Sequence, residues 1–298
     1  MQPSRSNASS GRVVVVGAGF AGLEVAKALG RANIQVTLID RRNPPLFQPL
    51  LYQVATAALS AVDIAEPIRK ILRPYPSVQV IFGEVSQIDT TAQTVELNCG
   101  QRFVYDYLVM ACGAGQSYFG HDDWAKWAPG LKSIEDARYI RSQLLLTFER
   151  AERSADVEEQ KRLLSIAIIG GGPTGVELAG AIAELSRYTL ARDFRSIHPD
   201  ATQVTLVEAG PRILSGFSEE VSTYARQRLE QLGVRVLTGQ SVDGVGPSSV
   251  SIAGQEIPTG FIIWAAGISA SPLARQLGET DKAGRIAVDR SLAVPGRQ

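Results

Sequence analysis

Two short glycine-rich segments carry the residues best able to do chemistry in this 298-residue chain. Gly17-Ala18-Gly19-Phe20-Ala21-Gly22 follows the apolar run Val13-Val14-Val15-Val16. Gly170-Gly171-Gly172-Pro173-Thr174-Gly175 follows Ile166-Ala167-Ile168-Ile169. Each turn lies between a strand pattern and a helix pattern, the context in which G-x-G-x-x-G binds a dinucleotide. The first glycine permits a tight bend, the second lets backbone approach a pyrophosphate, and the third lets helix and strand pack closely. The helix N-terminus then offers free N–H groups and a partial positive charge. Asp40, ending the next strand about 20 residues on, has the position of a ribose ligand. Glu208 ends the matching strand of the second unit, delayed by an extra segment over 186–200. Two dinucleotides held by one chain imply hydride transfer from one to the other. A carboxylate at Glu208 repels a 2′-phosphate and favours NADH, although Arg212 nearby could accommodate that phosphate.

The elements that must position these turns follow from hydrophobic period and punctuation. Arg12–Val16, a helix carrying Leu23, Val25, Ala26 and Leu29, and strand Gln35–Ile39 make a first βαβ unit. The stretch Pro44-Pro45-Leu46-Phe47-Gln48-Pro49-Leu50-Leu51-Tyr52 is too proline-rich to begin as regular structure. It reads as a long functional loop. A helix capped by Asp63 and running to about Leu72 should follow, with Pro67 in an early turn. Short strands near Val78–Phe82, Val85–Ile88, Thr94–Leu97 and Gln101–Val104 look like an antiparallel insertion, followed by strand Tyr107–Ala111. A charged helix from Ser133 to about Arg153 bridges to the second unit through a linker over 151–161. That unit has strand Leu164–Ile169, helix Val176–Leu190, strand Gln203–Glu208, a helix near Glu219–Leu232 and strands from Val234 to Trp264. The expected fold class is α/β, with two Rossmann-like dinucleotide-binding domains and a small antiparallel β insertion. Domain boundaries are expected at 1–11 (flexible leader), 12–160 (first nucleotide domain, with linker helix 133–153), 161–268 (second) and 269–298 (return segment).

Composition narrows the classes. Lysine plus arginine equals aspartate plus glutamate at 30 each, so nucleic-acid binding is disfavoured. Cys99 and Cys112 form neither a C-x-x-C pair nor a zinc set, and read as small hydrophobes in a reducing, cytoplasmic compartment. The polar Met1–Ser10 stretch is no signal peptide, and no stretch is apolar enough to span a bilayer. His121 and His198 are isolated, fitting surface or capping roles. Tyr118, Trp124 and Trp264 read as packing residues. No metal site stands out.

The segment Phe47-Gln48-Pro49-Leu50-Leu51-Tyr52-Gln53-Val54-Ala55-Thr56 narrows the reading further. With it, the chain resembles the type II NADH dehydrogenases, single-subunit, non-proton-pumping NADH:quinone oxidoreductases. The resemblance continues through Ser117-Tyr118-Phe119-Gly120, Ala128-Pro129-Gly130-Leu131-Lys132, Gly172-Pro173-Thr174-Gly175-Val176-Glu177-Leu178-Ala179-Gly180 and Ile263-Trp264-Ala265-Ala266-Gly267. It implies FAD on the first unit, held by Gly17, Gly19, Phe20, Ala21, Gly22, Asp40, Arg41 and Gly113, with Gln48 and Pro49 beside the flavin ring. Val85 matches a position whose backbone meets the adenine. NADH would dock on Gly170, Gly172, Pro173, Thr174, Gly175, Glu208 and Gly267. Glu177 matches a glutamate near nicotinamide and flavin, and with Gln48 it is the expected catalytic residue. The ordinary alternative for Glu177 is a first-turn carboxylate favouring the helix dipole. A membrane quinone would be the acceptor, with a peripheral membrane association and a homodimer as further expectations.

The chain also departs from that pattern. Cys112 stands where the family usually has threonine, losing a hydroxyl, and Pro44 and Pro45 replace more polar residues. Sulfide:quinone oxidoreductases use cysteines beside the flavin, but Cys99 and Cys112 fall in the wrong segments for that chemistry. In the family, residues after a segment like Leu292-Ala293-Val294-Pro295-Gly296 lead to a Gly-Asp flavin contact, the quinone pocket and amphipathic membrane helices. This sequence ends at Gln298, so those parts are expected to be missing. Two alternatives therefore stand beside the quinone enzyme. One is a soluble NAD(P)H-dependent flavoprotein reductase for a ferredoxin-like or small-molecule acceptor. The other is a catalytically impaired nucleotide-binding fragment.

Overall fold

The computed structural model describes residues 11–43 and 46–296. The expected leader up to Ser10 and the Pro44-Pro45 turn lie outside the described residues. The chain forms two compact units. The first comprises the described residues of Met1–Leu46, Ala65–Gly115 and Ile268–Gln298, and the second Phe47–Ile64 with Gln116–Gly267.

In the first unit, strand Val13–Val16 is buried along its whole length. It lies between Val36–Asp40 and Tyr107–Met110, with Val78–Phe82 outside Val36–Asp40, all parallel. A strand buried on both faces reads as a continuous apolar run, which is what four valines supply. Alternation sorts them. Val13 and Val15 pack with Leu23 and Ala26 of helix Phe20–Arg31 and with Ile68 and Leu72. Val14 and Val16 pack with Val85, Ile88, Val95 and Leu97 of a three-stranded antiparallel sheet. Val78–Phe82 thus belongs to the parallel sheet and not to the insertion, because the crossover through Ile68–Ile71 delivers it parallel to Val36–Asp40. The expected helix from Asp63 to Leu72 is two short pieces, Ala61–Ile64 and Ile68–Ile71. Pro67 is extended (ψ 131°) and holds them apart. The return segment is anchored by Gln276, whose Oε1 accepts the Ile88 N–H at 2.7 Å while its Nε2 donates to the Ser86 carbonyl.

The second unit repeats the parallel sheet in the order Arg235–Thr238, Gln203–Glu208, Ser165–Ile169, Phe261–Trp264. Helix Pro173–Glu184 buries Leu178, Ala179 and Ile182, and a separate antiparallel sheet spans Val242–Val245, Ser249–Ile252 and Gln255–Pro258. Helix Ile134–Arg153 belongs here and is not a bridge. Its buried Ile140, Leu144 and Phe148 line one face, and helix Leu51–Ala55 packs on it and on Pro173–Glu184. The proline-rich stretch therefore leads into regular structure in this unit, through a 3-10 turn at Gln48–Leu50. The domains drawn from sequence placed both segments with the first glycine turn. The compact units place them with the second.

Two charged segments fold rather than link. Helix Val157–Leu163 begins at Asp156, whose side chain accepts the Glu158 N–H, and carries Lys161–Glu158 and Arg162–Glu159 ion pairs. Acidic residues in the first turn and basic ones in the last suit the helix dipole. The segment that delays Glu208 starts as a wide π-helical turn, Leu185–Thr189, and is pinned at residues 195–197 to Glu152 of helix Ile134–Arg153. The Glu152 carboxylate accepts the N–H groups of Arg195, Ser196 and Ile197 at 2.9–3.1 Å, which holds its carboxyl below the usual range. Phe148 and Phe194 pack beside it at 6.0 Å.

Helix Ile134–Arg153 opens on Ser133, whose hydroxyl accepts the Asp136 N–H at 3.1 Å. Ser133→Ala should cost about 0.5–2 kcal/mol, read as a lower urea midpoint with an unchanged denaturant slope.

Candidate functional site

The two glycine turns match feature by feature. Gly17 has φ +100°, and a Cβ there would lie 2.3 Å from the Ala111 carbonyl oxygen. Gly170 has φ +111°, and a Cβ there would meet Ala266 N at 2.6 Å. At the third position, a Cβ on Gly22 or Gly175 would lie 1.8 Å from the carbonyl oxygen of Gly17 or Gly170. These four glycines are demanded by the fold. The middle pair is not. Gly19 (φ −75°) and Gly172 (φ −73°) have backbones any residue adopts, and a Cβ on either meets nothing within 4 Å.

Both helices that follow have bare N-termini. Phe20–Arg31 and Pro173–Glu184 carry no side-chain cap and no acidic residue in the first turn. The other long helices, Ile134–Arg153 and Glu219–Gln231, are capped by Ser133 and Ser218. An uncapped helix end beside an open glycine is a place for an anion.

The acidic partners also repeat. Asp40 Oδ2 accepts the Ala18 N–H at 2.6 Å, and Oδ1 accepts the Arg42 N–H at 2.6 Å. Glu208 Oε2 accepts the Gly171 N–H at 2.6 Å, and Oε1 accepts the Gly210 N–H at 2.7 Å. A carboxylate has about four acceptor sites, so each holds its turn with capacity left for hydroxyl donors. Arg212 does not reach outward. Its guanidinium donates to the carbonyls of Leu214, Ser215 and Phe217 in its own loop.

The remaining candidates divide between the units. In the first, Phe20 and Ala21 are exposed on the opening helical turn, and Arg41 is exposed in an ion pair with Glu84 at 2.9 Å. The Val85 side chain is buried, opposite Leu97, which leaves only its backbone for a ligand. Gly113 is exposed at φ +67° with open space around its Cα. Cys112 rests its Sγ 3.6 Å from the Val16 carbonyl, and burial pushes its thiol up. In the second, Gln48 and Pro49 are exposed ahead of helix Leu51–Ala55, which Leu51, Val54 and Ala55 bury. Pro173 is the first residue of its helix, and Thr174 is half-buried.

Glu177 is the fifth residue of that helix, beyond the first turn, which weakens the helix-dipole explanation for it. Glu24 holds the corresponding place in the first unit and pairs with Lys27 at 2.8 Å. Glu177 has no ion-pair partner among the described residues, and burial raises its carboxyl above the usual value. His121 stacks on Trp124 and His198 precedes a 3-10 turn, while Tyr118, Trp124 and Trp264 form part of the core. Among the described residues no cluster could hold a metal ion.

Two residues beside the Ala265–Gly267 turn were not anticipated. Gln116 Nε2 donates to the carbonyls of Ala266 at 2.7 Å and Gly267 at 3.2 Å. Phe119, with φ +54°, lies against Gly267, which has φ +72°. The only signal in the sequence was their place in or next to the Ser117–Gly120 motif.

Two parallel sheets, each with a glycine turn, a bare helix end and a carboxylate on the turn, define a two-dinucleotide-binding α/β protein. Residues 11–296 match the pyridine nucleotide-disulphide oxidoreductase family, and the chain belongs to it. It is 43% identical to the type II NADH:quinone oxidoreductase Ndh of Mycobacterium tuberculosis, over 99% of this chain and 66% of that protein. It is 44% identical to NdhA of the same organism, over 96% of this chain and 64% of NdhA. The structure of NDH2 from Plasmodium falciparum in complex with NADH superposes with a TM-score of 0.83 at 26% identity, covering 90% of this chain and 57% of that one. The sulfide:quinone oxidoreductase of Aquifex aeolicus shares the fold, with a TM-score of 0.76 at 18% identity over 96% of this chain and 66% of that one. The chain thus spans about two thirds of the length of these curated relatives.

The raised Glu177 carboxyl has a measurable sign. The stability its proton confers is fully present below the unfolded-state value and is lost as pH rises through the folded one. Glu177→Gln should therefore match the wild type in acid and become the more stable of the two as pH rises from about 4 toward 7. Urea midpoints across that range check it.

Proposed function

We propose that this chain binds FAD on its first unit and NADH on its second, and passes a hydride from NADH to the flavin with a quinone as final acceptor. The observation that carries the reading is the open middle glycine of each turn. Among the described residues nothing requires glycine at 19 or 172, whereas a pyrophosphate lying on the backbone does. The bare helix ends supply N–H donors and positive potential to the same phosphates. The similarity to the two mycobacterial quinone oxidoreductases supports the acceptor class.

The chain's own residues do the positioning. Asp40 and Glu208 fix the shape of each turn and keep acceptor capacity for ribose hydroxyls. The second unit favours NADH over NADPH in this reading, because Glu208 disfavours a 2′-phosphate and Arg212 turns both Nη atoms to carbonyls of its own loop. The Val85 backbone serves the flavin in this reading, and burial in the second unit raises the Glu177 carboxyl above its ordinary value. FAD, when bound, supplies a two-electron acceptor that no side chain offers. No helix among the described residues is long and apolar enough to cross a membrane. Meeting a quinone at the cytoplasmic face therefore calls for peripheral association in this reading.

The deciding experiment is an anaerobic titration of purified protein carrying FAD. NADH should bleach the flavin band and a quinone analogue should restore it. Bleaching without reoxidation by quinone would reject the acceptor, and failure to bind flavin would reject the whole reading. A sharper check uses the turns. Gly19→Ala should lower flavin content several-fold, and Gly172→Ala should keep flavin but weaken NADH binding. Neither variant should lose its fold, since the chain-entropy gain of Gly→Ala, about 0.4–1 kcal/mol, offsets the preference of these two helix N-caps for glycine over alanine.

A further inference from the structure

The second unit holds an aromatic ring that its own packing does not explain. Phe119 is 68% exposed and sits at φ +54°, a left-handed conformation costing a non-glycine residue about 1–2 kcal/mol. Its neighbour Tyr118 is buried, stacked on Trp264 at 5.1 Å, with its hydroxyl on the Ala128 carbonyl. Phe119 instead turns out into solvent, its N–H on Ser117 Oγ and its ring centroid 6.4 Å from that of Trp264. Strain of this kind persists where the surroundings impose it and clusters at ligand sites.

The ring's place is specific. Phe261–Trp264 is the edge strand of the parallel sheet, beside Ser165–Ile169 and two strands from Gln203–Glu208. A dinucleotide lies across the carboxyl ends of such strands, over the glycine turn. With its adenosine ribose at Glu208, its other end falls at Ala265–Gly267. That turn is tightly held. The Ala265 N–H donates to the Ile169 carbonyl at 2.7 Å, Trp264 Nε1 to the Ser117 carbonyl at 2.8 Å, and the Gln116 amide to Ala266 and Gly267. The Phe119 ring lies so close over Gly267 that a Cβ there would be 2.7 Å from Cζ.

We propose that Phe119 is the aromatic wall of the nicotinamide subsite, an exposed ring that the Gln116-braced turn holds in place to cover the nicotinamide end of the bound dinucleotide. The proposal rests on the second unit binding NADH. Its chemistry is a planar, apolar face meeting a planar carboxamide ring, without hydrogen-bond readout.

The test separates nicotinamide contact from general damage. NAD⁺ cannot reduce the flavin and so gives an equilibrium Kd, while ADP-ribose carries the same adenosine and pyrophosphate without the nicotinamide. Calorimetric titrations would compare the wild type with Phe119→Ala, Phe119→Gly and Phe119→Tyr. NAD⁺ binding should weaken roughly 2- to 13-fold in the Ala and Gly variants, the loss of an aromatic contact. ADP-ribose binding should not change, and Tyr should restore NAD⁺ affinity. Phe119→Gly should melt no lower than wild type, because glycine relieves the left-handed backbone. Unchanged NAD⁺ affinity in the Ala and Gly variants would overturn the proposal, as would equal weakening of both ligands with a lower melting temperature. A wild type that bound neither nucleotide would refute the NADH reading itself, and this inference with it.

Discussion

Everything at both candidate sites depends on how closely a helix can approach the strand before it. In each unit the third glycine sets its Cα against the carbonyl oxygen of the first, where a methyl group would lie 1.8 Å away. That contact brings the helix axis down onto the sheet and aims its first N–H groups at the space beside the second glycine. The carboxylate at the end of the next strand fixes what remains, by taking the N–H of the residue between the first two glycines. Three small residues and one acid thus set the pose of a whole helix. The rest of the sheet is free to be chosen for packing alone.

The same economy shows in the capping pattern. Helices that serve packing are closed with serine side chains, at Ser133 and Ser218. The two that follow glycine turns are left open and free of acidic residues in their first turns. A cap at those ends would satisfy the very donors that an anion needs. The units then differ where their tasks differ: Glu24 pairs with Lys27, whereas its counterpart Glu177 has no ion-pair partner among the described residues and is partly desolvated.

Most of this was legible in the sequence because it is local. The valine run, the two turns, Asp40 and Glu208 each follow from a pattern within about 40 residues, and the parallel α/β fold follows from them. What was illegible depends on contacts far apart in sequence. Nothing in Leu51–Ala55 shows that it packs on a helix starting at Ile134, so its unit could not be assigned. The charged 151–161 segment reads as solvent-facing linker because its charges pair between residues three apart, Glu158 with Lys161 and Glu159 with Arg162, which only a helix brings together. Phe119 and Gln116 escaped because their meaning lies in a turn formed by residues 265–267.

Glu152 carries a consequence for how the second unit can vary. Its carboxylate gathers three successive N–H groups of the segment between helix Pro173–Glu184 and strand Gln203–Glu208. The long connection is thereby divided into two short arcs, each closed on a fixed point. Closure entropy grows only with the logarithm of arc length, but the arcs pack on each other, the Leu185–Thr189 and Leu190–Arg192 turns of the first against the Pro199–Ala201 turn of the second. The strand that ends in Glu208 begins from the second arc, so its start is fixed both by Glu152 and by the turns of the first arc. The connection is thus a packed unit, and a change of length within it reaches the carboxylate that holds the second glycine turn through the Pro199–Ala201 turn.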